Sequence, residues 1–208
     1  RMNSFVADRT RSTEPLQIRT HDEIGDIAGS FNKMSDDISD YIAHIETLSR
    51  DQAEAKVQME VARRIQYGMV PEHTDLSGAG FSLCAYASPA KTVGGDFYDC
   101  FSRSQDSVCT VIGDVSGKGI SAALFMGMVK TMTHEKLKAG LSPEETLNRV
   151  NDELCESNPE GLFVTCLIAD INPVTGAVSI ANAGHTLPVL IKASPEFLAP
   201  DPGIALGI

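Results

Sequence analysis

The sequence predicts an α+β or layered α/β domain led by a long helix, and three observations carry that reading. Residues 24–69 hold an apolar heptad that no proline interrupts. Beyond Pro71, short strand-like runs alternate with two helical stretches. Two glycine-aspartate pairs, Gly95-Asp96 and Gly113-Asp114, fall at strand edges.

The heptad comes first in the chain. One series is Ile24, Phe31, Ile38, Ile45, Gln52, Met59 and Gln66; its companion, three residues on, is Ile27, Met34, Tyr41, Leu48, Ala55, Ala62 and Met69. Sustained a/d spacing predicts a coiled coil. A straight helix over this span extends about 70 Å at ~1.5 Å per residue, more than one small domain can bury. The seam weakens at Gln52 and Ala55, while Val57, Val61 and Ile65 open a second stripe beside it. A stripe that shifts in this way is what an inserted stutter produces. Two readings stay open: a helix that leaves a dimer seam to pack on the next domain, and a register-sensitive joint that transmits a signal.

The start of this helix reads Asp22-Glu23-Ile24-Gly25-Asp26-Ile27-Ala28, then Phe31-Asn32-Lys33-Met34. It resembles the second helix of a HAMP signalling domain over about residues 16–48; a first HAMP helix is not recognisable. HAMP domains usually follow a membrane span, so the resemblance implies an intact protein anchored in the cell membrane with this portion in the cytoplasm. The expected organisation is a partial HAMP segment over 1–48, a linker helix or coiled coil over 49–70 and a domain over 71–208.

Within that domain a loop is expected over 72–80, a strand over 81–87, a short strand or turn over 97–101 and a strand over 108–115. A helix follows Gly119 and reaches about Lys138. A second begins at Ser142-Pro143-Glu144-Glu145, with a Ser cap, Pro in the first turn and acids near the positive end of the helix, and ends near Ser157. Strands over 162–170 and 177–183 are joined by the turn Asn172-Pro173-Val174-Thr175-Gly176. A last strand is expected over 187–191.

Composition narrows the function. At 42% hydrophobic the chain can build a core. Its net charge of −11 argues against nucleic-acid binding, which needs a basic stripe, and against docking on an anionic membrane. No run approaches the ~18 apolar residues of a membrane span, and Arg1-Met2-Asn3-Ser4 leads into no signal peptide. The five cysteines form no C-x-x-C pair and read as free thiols of a reducing cytosol, not as a zinc or nucleophile site.

The residues that carry chemistry lie between 94 and 119: Gly94-Gly95-Asp96-Phe97-Tyr98-Asp99, then Ile112-Gly113-Asp114-Val115-Ser116-Gly117-Lys118-Gly119. Glycine lets backbone approach a ligand closely. Two strand-end carboxylates brought together make an oxygen-rich pocket of the kind hard cations prefer. Paired metals about 4 Å apart clamp a phosphate and activate a water, with no covalent intermediate. Asp114 to Gly119 opens like a calcium loop but has Phe125 where the twelfth-position Glu belongs. It is not a P-loop, since Gly119 follows Lys118 and Ile112 occupies the earlier Gly position, and it lacks a Rossmann fingerprint. Taken alone, two Gly-Asp pairs are compatible with plain surface turns.

The wider order of motifs is more specific. Those two stretches are followed by Phe163-Val164-Thr165 and Asn182-Ala183-Gly184-His185, and preceded by Glu60-Val61-Ala62-Arg63-Arg64-Ile65-Gln66 and Met69-Val70-Pro71. Together, over about residues 56–208, they resemble the PPM-type metal-dependent protein serine/threonine phosphatases, in the bacterial branch typified by sporulation stage II protein E. The resemblance implies a β-sandwich flanked by helices, with two Mn²⁺ or Mg²⁺ ions at one edge. Asp96 aligns with an acidic ligand, Asp114 with the acid that bridges the metals, and Val115 with the residue that offers a backbone carbonyl. It further implies a phosphorylated protein substrate, in this branch often an anti-sigma-factor antagonist, and a homodimer through the N-terminal helix. The helix after Gly119 and its successor are the implied regulatory switch.

Secondary candidates are read more plainly. Asp99 is taken as a turn acid over a partner of the metal ligands, Lys118 as a surface lysine, and His185 as a loop-ordering histidine over a proton donor. Ser116 stands where eukaryotic relatives carry a histidine. Relatives continue past the position of Ile208 with strands carrying a Thr-Asp-Gly motif and a later acid, so the sheet is expected to lack its last strands and the site at least one carboxylate. The alternative function is accordingly a catalytically inactive, phosphatase-like scaffold that binds a regulatory partner.

Overall fold

The uninterrupted heptad folds as one helix, α1 (Glu23–Met69), in a computed structural model that describes residues 15–17, 20, 22–78, 80–88, 93–201 and 203–208. The chain divides between Val57 and Gln58 into two compact units. The HAMP-like expectation for residues 1–14, 18, 19 and 21 lies outside the described residues.

In the first unit the Asp22 carboxylate accepts from the backbone N–H groups of Ile24 and Gly25 at 3.2 and 3.3 Å, satisfying two donors that a helix start leaves open. Asn32 holds the preceding chain through both ends of its amide. Its Oδ1 accepts from Leu16 N at 2.7 Å and its Nδ2 donates to Leu16 O at 3.1 Å. Ala28 is buried, whereas Ile24, Ile27, Met34, Ile38, Tyr41, Ile45 and Leu48 are exposed.

The second unit is built on a four-stranded antiparallel sheet. Its strands run in the order β3 (Phe97–Ser104), β4 (Ser107–Val115), β5 (Val164–Ile171), β6 (Val178–Ala183), preceded by the hairpin β1 (His73–Gly78) and β2 (Phe81–Tyr86). The helices α2 (Ile120–Lys138) and α3 (Pro143–Glu156) interrupt the sheet between β4 and β5. A short pair, β7 (Val189–Leu190) and β8 (Glu196–Phe197), follows. Strand alternation sends Phe97, Val111, Val115, Val164 and Ile168 into a core shared with Met126, Val129, Leu147, Val150 and Leu154 of the helices. Each such side chain contributes about 1.5–3 kcal/mol on burial.

The second helix starts as its sequence predicts. Ser142 Oγ accepts from Glu145 N, and the Glu145 carboxylate accepts from Ser142 N at 3.0 Å, a closed capping box that holds the Glu145 carboxyl below its ordinary range.

Three expectations need correction. Residues 72–80, read as a loop, contain β1. Its Asp, Ser and Gly are poor strand formers, but six-residue pairing with β2 and the half-burial of Thr74 and Leu76 override propensity. The element expected over 97–101 is an eight-residue strand, because β4 pairs with it throughout apart from one irregularity near Ser102. The strand expected over 187–191 contracts to Val189–Leu190, which among the described residues pairs only with β8.

Candidate active site

The register of β3 against β4 sets Phe97 opposite Gly113. One further step along an antiparallel ladder sets Asp96 opposite Asp114, so two acids distant in sequence leave adjacent strands at one sheet edge. Their carboxyl groups come close enough for the Asp96 charge to act on Asp114. Burial, then the Asp96 charge, push the Asp114 carboxyl above its ordinary value, while His185 opposes the shift.

Two glycines make this approach possible. A Cβ on Gly95 would stand 2.5 Å from the Val115 carbonyl oxygen, and one on Gly113 would stand 2.6 Å from the Phe97 ring. Val115 N donates to Gly95 O at 3.3 Å, so the two backbones are joined where the acids emerge. The loop beyond is tied to β5: Ser116 N donates to Phe163 O at 2.8 Å and Ser116 Oγ accepts from Phe163 N at 2.9 Å.

His185 stands beside the pair. Its pKa is lowered by burial, against the pull of the Asp114 and Asp96 charges. Loop ordering is done by Asn182, whose amide bonds His185 N and O at 2.8 and 3.0 Å. The ring bonds elsewhere, Nδ1 lying 2.8 Å from Thr165 Oγ1. That hydroxyl also lies 3.5 Å from Asp114 O, so Thr165 links the ring to the backbone of the acid.

Asp99 is neither a turn acid nor part of this group. It lies within β3 and faces α2, where its carboxylate oxygens meet Lys130 Nζ at 3.2 Å and His134 Nδ1 at 2.6 Å. Lys118 is exposed ahead of α2. Thr165 and Gln66 are the residues whose site roles sequence reading missed. The first sat inside a quoted motif with no role assigned. The second was assigned to the heptad seam, yet it is buried against Gly94. A cavity of about 350 Å³ opens beside the acidic pair, lined by Gln66, Tyr67, Tyr86, Asp96, Ile112 and His185 among others.

A sequence profile of the family described as stage II sporulation protein E (SpoIIE) matches residues 104–208. The chain is 31% identical over 140 residues to phosphoserine phosphatase RsbU of Bacillus subtilis, covering 67% of this chain and 41% of that protein. It is 33% identical over 201 residues to protein IcfG of Synechocystis sp., covering 83% of this chain and 31% of that protein. It therefore spans less than half the length of either relative. Its fold is similar to that of the SiaA-PP2C domain of Pseudomonas aeruginosa, with a TM-score of 0.60 at 17% identity, covering 76% of this chain and 64% of that one.

Proposed function

This chain belongs to the stage II sporulation protein E (SpoIIE) family of PPM-type phosphatase domains, and from that membership we propose that it carries out metal-dependent hydrolysis of phosphoserine or phosphothreonine in a partner protein. The observation that carries the reading is the meeting of the Asp96 and Asp114 carboxyl groups at one sheet edge.

PPM-type phosphatases are metal-dependent as a class. The donor set here fits a hard divalent cation: two neighbouring carboxylates, with the Asp114 pKa raised by burial and then by the Asp96 charge. A cation of Mn²⁺ or Mg²⁺ type neutralises the pair better than a proton does. Asp96 and Asp114 would hold two such ions, with the Val115 carbonyl as a further donor. When bound, the ions supply polarisation of the phosphate and an activated water. The chain's own part is to fix the two carboxylates through strand register and the Gly95–Val115 bond. His185, braced by Thr165, keeps its ring against the acidic pair as a positioning residue.

The partner in this reading is a phosphorylated protein such as an anti-sigma-factor antagonist. The exposed apolar stripe of α1 supports a homodimer through a HAMP-like segment over 1–48 and a coiled-coil linker over 49–70, with the phosphatase domain over 71–208 and α2 and α3 as the switch it addresses. The domain would be the cytoplasmic portion of a protein anchored elsewhere.

The second reading is a scaffold that binds a phosphorylated partner without turning it over. It draws on the donor set: among the described residues, no third Asp, Glu, His or Cys ligand atom joins Asp96 and Asp114 within mutual reach. Manganese-dependent hydrolysis of p-nitrophenyl phosphate and of a phosphoserine peptide separates the two. Catalysis requires turnover in the chain and its loss in Asp114→Asn. Mn²⁺ binding with no turnover of either substrate would reject the phosphatase reading in favour of the scaffold.

A further inference from the structure

Gln66 lies in the last turn of α1 and carries a polar head into a buried place, with only 6% of its surface exposed. A buried amide without partners costs about 1–3 kcal/mol for each unpaired group. Gln66 avoids that cost on a single residue. Its Nε2 donates to Gly94 O at 2.6 Å, and its Oε1 accepts from Gly94 N at 3.1 Å. Two bonds from one planar amide fix both the position and the tilt of the backbone they grip, much as a neighbouring strand does.

The grip falls where side chains cannot help. Gly94 and Gly95 present only backbone, and glycine is the residue that loses most freedom when ordered. Gly95 then bonds Val115 and abuts its carbonyl, and Asp96 follows directly. Contacts thus run without a gap from the end of α1, through Gly94 and Gly95, to both sides of the acidic pair. A glutamine that merely satisfied its own burial would need no particular partner, yet this one closes two residues ahead of an acid that meets Asp114.

We infer that Gln66 is a positioning residue: by clasping the Gly94 backbone it sets the Asp96 carboxylate against Asp114, so that cation affinity at the pair depends on the last turn of α1. The inference rests on the reading of Asp96 and Asp114 as ligands. It adds to that reading the residue that holds one of them in place, and a route from the helix to the site that does not pass through α2.

Two measurements on this chain test it. In metal-free protein, amide exchange at Gly94 followed by ¹⁵N NMR is slow, and Gln66→Met, which fills the same space without hydrogen bonds, speeds it at least about tenfold by removing the Oε1 acceptor. Mn²⁺ titration followed by electron paramagnetic resonance gives an affinity about 10–100-fold weaker in Gln66→Met, the usual cost of losing a group that orients a ligand. Melting in EDTA shows whether the variant is folded. If it is not, Gln66→Glu decides by Mn²⁺ affinity alone, since it keeps the acceptor for Gly94 N–H but sets a carboxylate against Gly94 O: an affinity at least about tenfold weaker supports the inference and one within about twofold of the parent overturns it. Faster Gly94 exchange with Mn²⁺ affinity unchanged within about twofold would make Gln66 a structural residue and overturn the inference. Unchanged exchange in a folded Gln66→Met would overturn it as well. A parent chain that binds no Mn²⁺ overturns the ligand reading together with the inference, whereas normal binding in both variants overturns the inference alone.

Discussion

Asp96 and Asp114 face one another across the ends of β3 and β4, and burial, then the nearby Asp96 charge, leaves Asp114 with a pKa above the ordinary aspartate value of 3.8. A raised acid favours the folded state while protonated. Its stabilisation is full below pH 3.8 and is lost as pH rises through the folded-state value. In metal-free protein the melting temperature of the parent chain relative to Asp114→Asn therefore falls as pH increases over that window. At neutral pH, Asp114→Asn melts no lower than the parent. Melting curves in EDTA across pH 3.5–7, taken as parent minus variant so that other carboxylates cancel, check the sign; a difference that grows with pH contradicts it.

Metal reverses this order. With Mn²⁺ at about a hundred times its dissociation constant, the parent gains about 2.7 kcal/mol and Asp114→Asn gains little. Calorimetric melting with and without Mn²⁺ reads both, and an equal gain in the two proteins would place the cation elsewhere.

Gly95→Ala tests the close approach at the site. Its Cβ would stand 2.5 Å from a backbone oxygen, Val115 O, which has no rotamer through which to yield. Relief requires the start of β3 to move away from the end of β4. The expected outcome is a loss of stability of about 1–3 kcal/mol and at least about a tenfold loss of Mn²⁺ affinity, read by urea unfolding and metal titration.

Asp99 ties β3 to α2. It is 13% exposed, Lys130 is 16% exposed, and the His134 ring packs at a tilt of 50° on Phe101 with centroids 4.3 Å apart. Asp99→Ala leaves a mostly buried lysine without its counter-charge and is expected to cost about 1.5–3 kcal/mol. Asp99→Asn, which keeps an acceptor for His134, costs less. Equal urea midpoints for the three proteins would reduce the cluster to a surface pair of no consequence.

Ile38 and Ile45 are exposed members of the apolar series on α1, with 39% and 52% of their surfaces accessible. On the proposed coiled-coil reading this stripe is a dimer seam. Sedimentation is expected to show a concentration-dependent dimer, and Ile38→Asp with Ile45→Asp a monomer. If the dimer persists in the double variant, association lies elsewhere. If turnover in that monomer equals that of the parent, the helix does not regulate the site.

Much of the fold was legible because it is locally encoded. The heptad of α1, the Ser142-Pro143-Glu144-Glu145 start of α3 and the alternation in β4 and β5 each depend on residues near one another in the chain. The close approach at the Gly-Asp pairs was legible for the same reason: glycine beside an acid signals it, and Gly95 and Gly113 both meet neighbours that a Cβ would strike. β1 was hidden because its composition is that of a loop and its pairing with β2 is decided outside its own residues.

The sequence by itself determined the helices, most of the strands and the family, and singled out Asp96 and Asp114 as candidates. Tertiary structure alone decided which groups meet. Register placed Asp96 across from Asp114, turned Asp99 to the opposite face of the sheet toward Lys130, and brought Gln66 out of a heptad count onto Gly94. The physical reason is that periodicity records which side of an element is apolar, whereas a polar group's partner is fixed only when buried donors and acceptors from distant segments must satisfy one another.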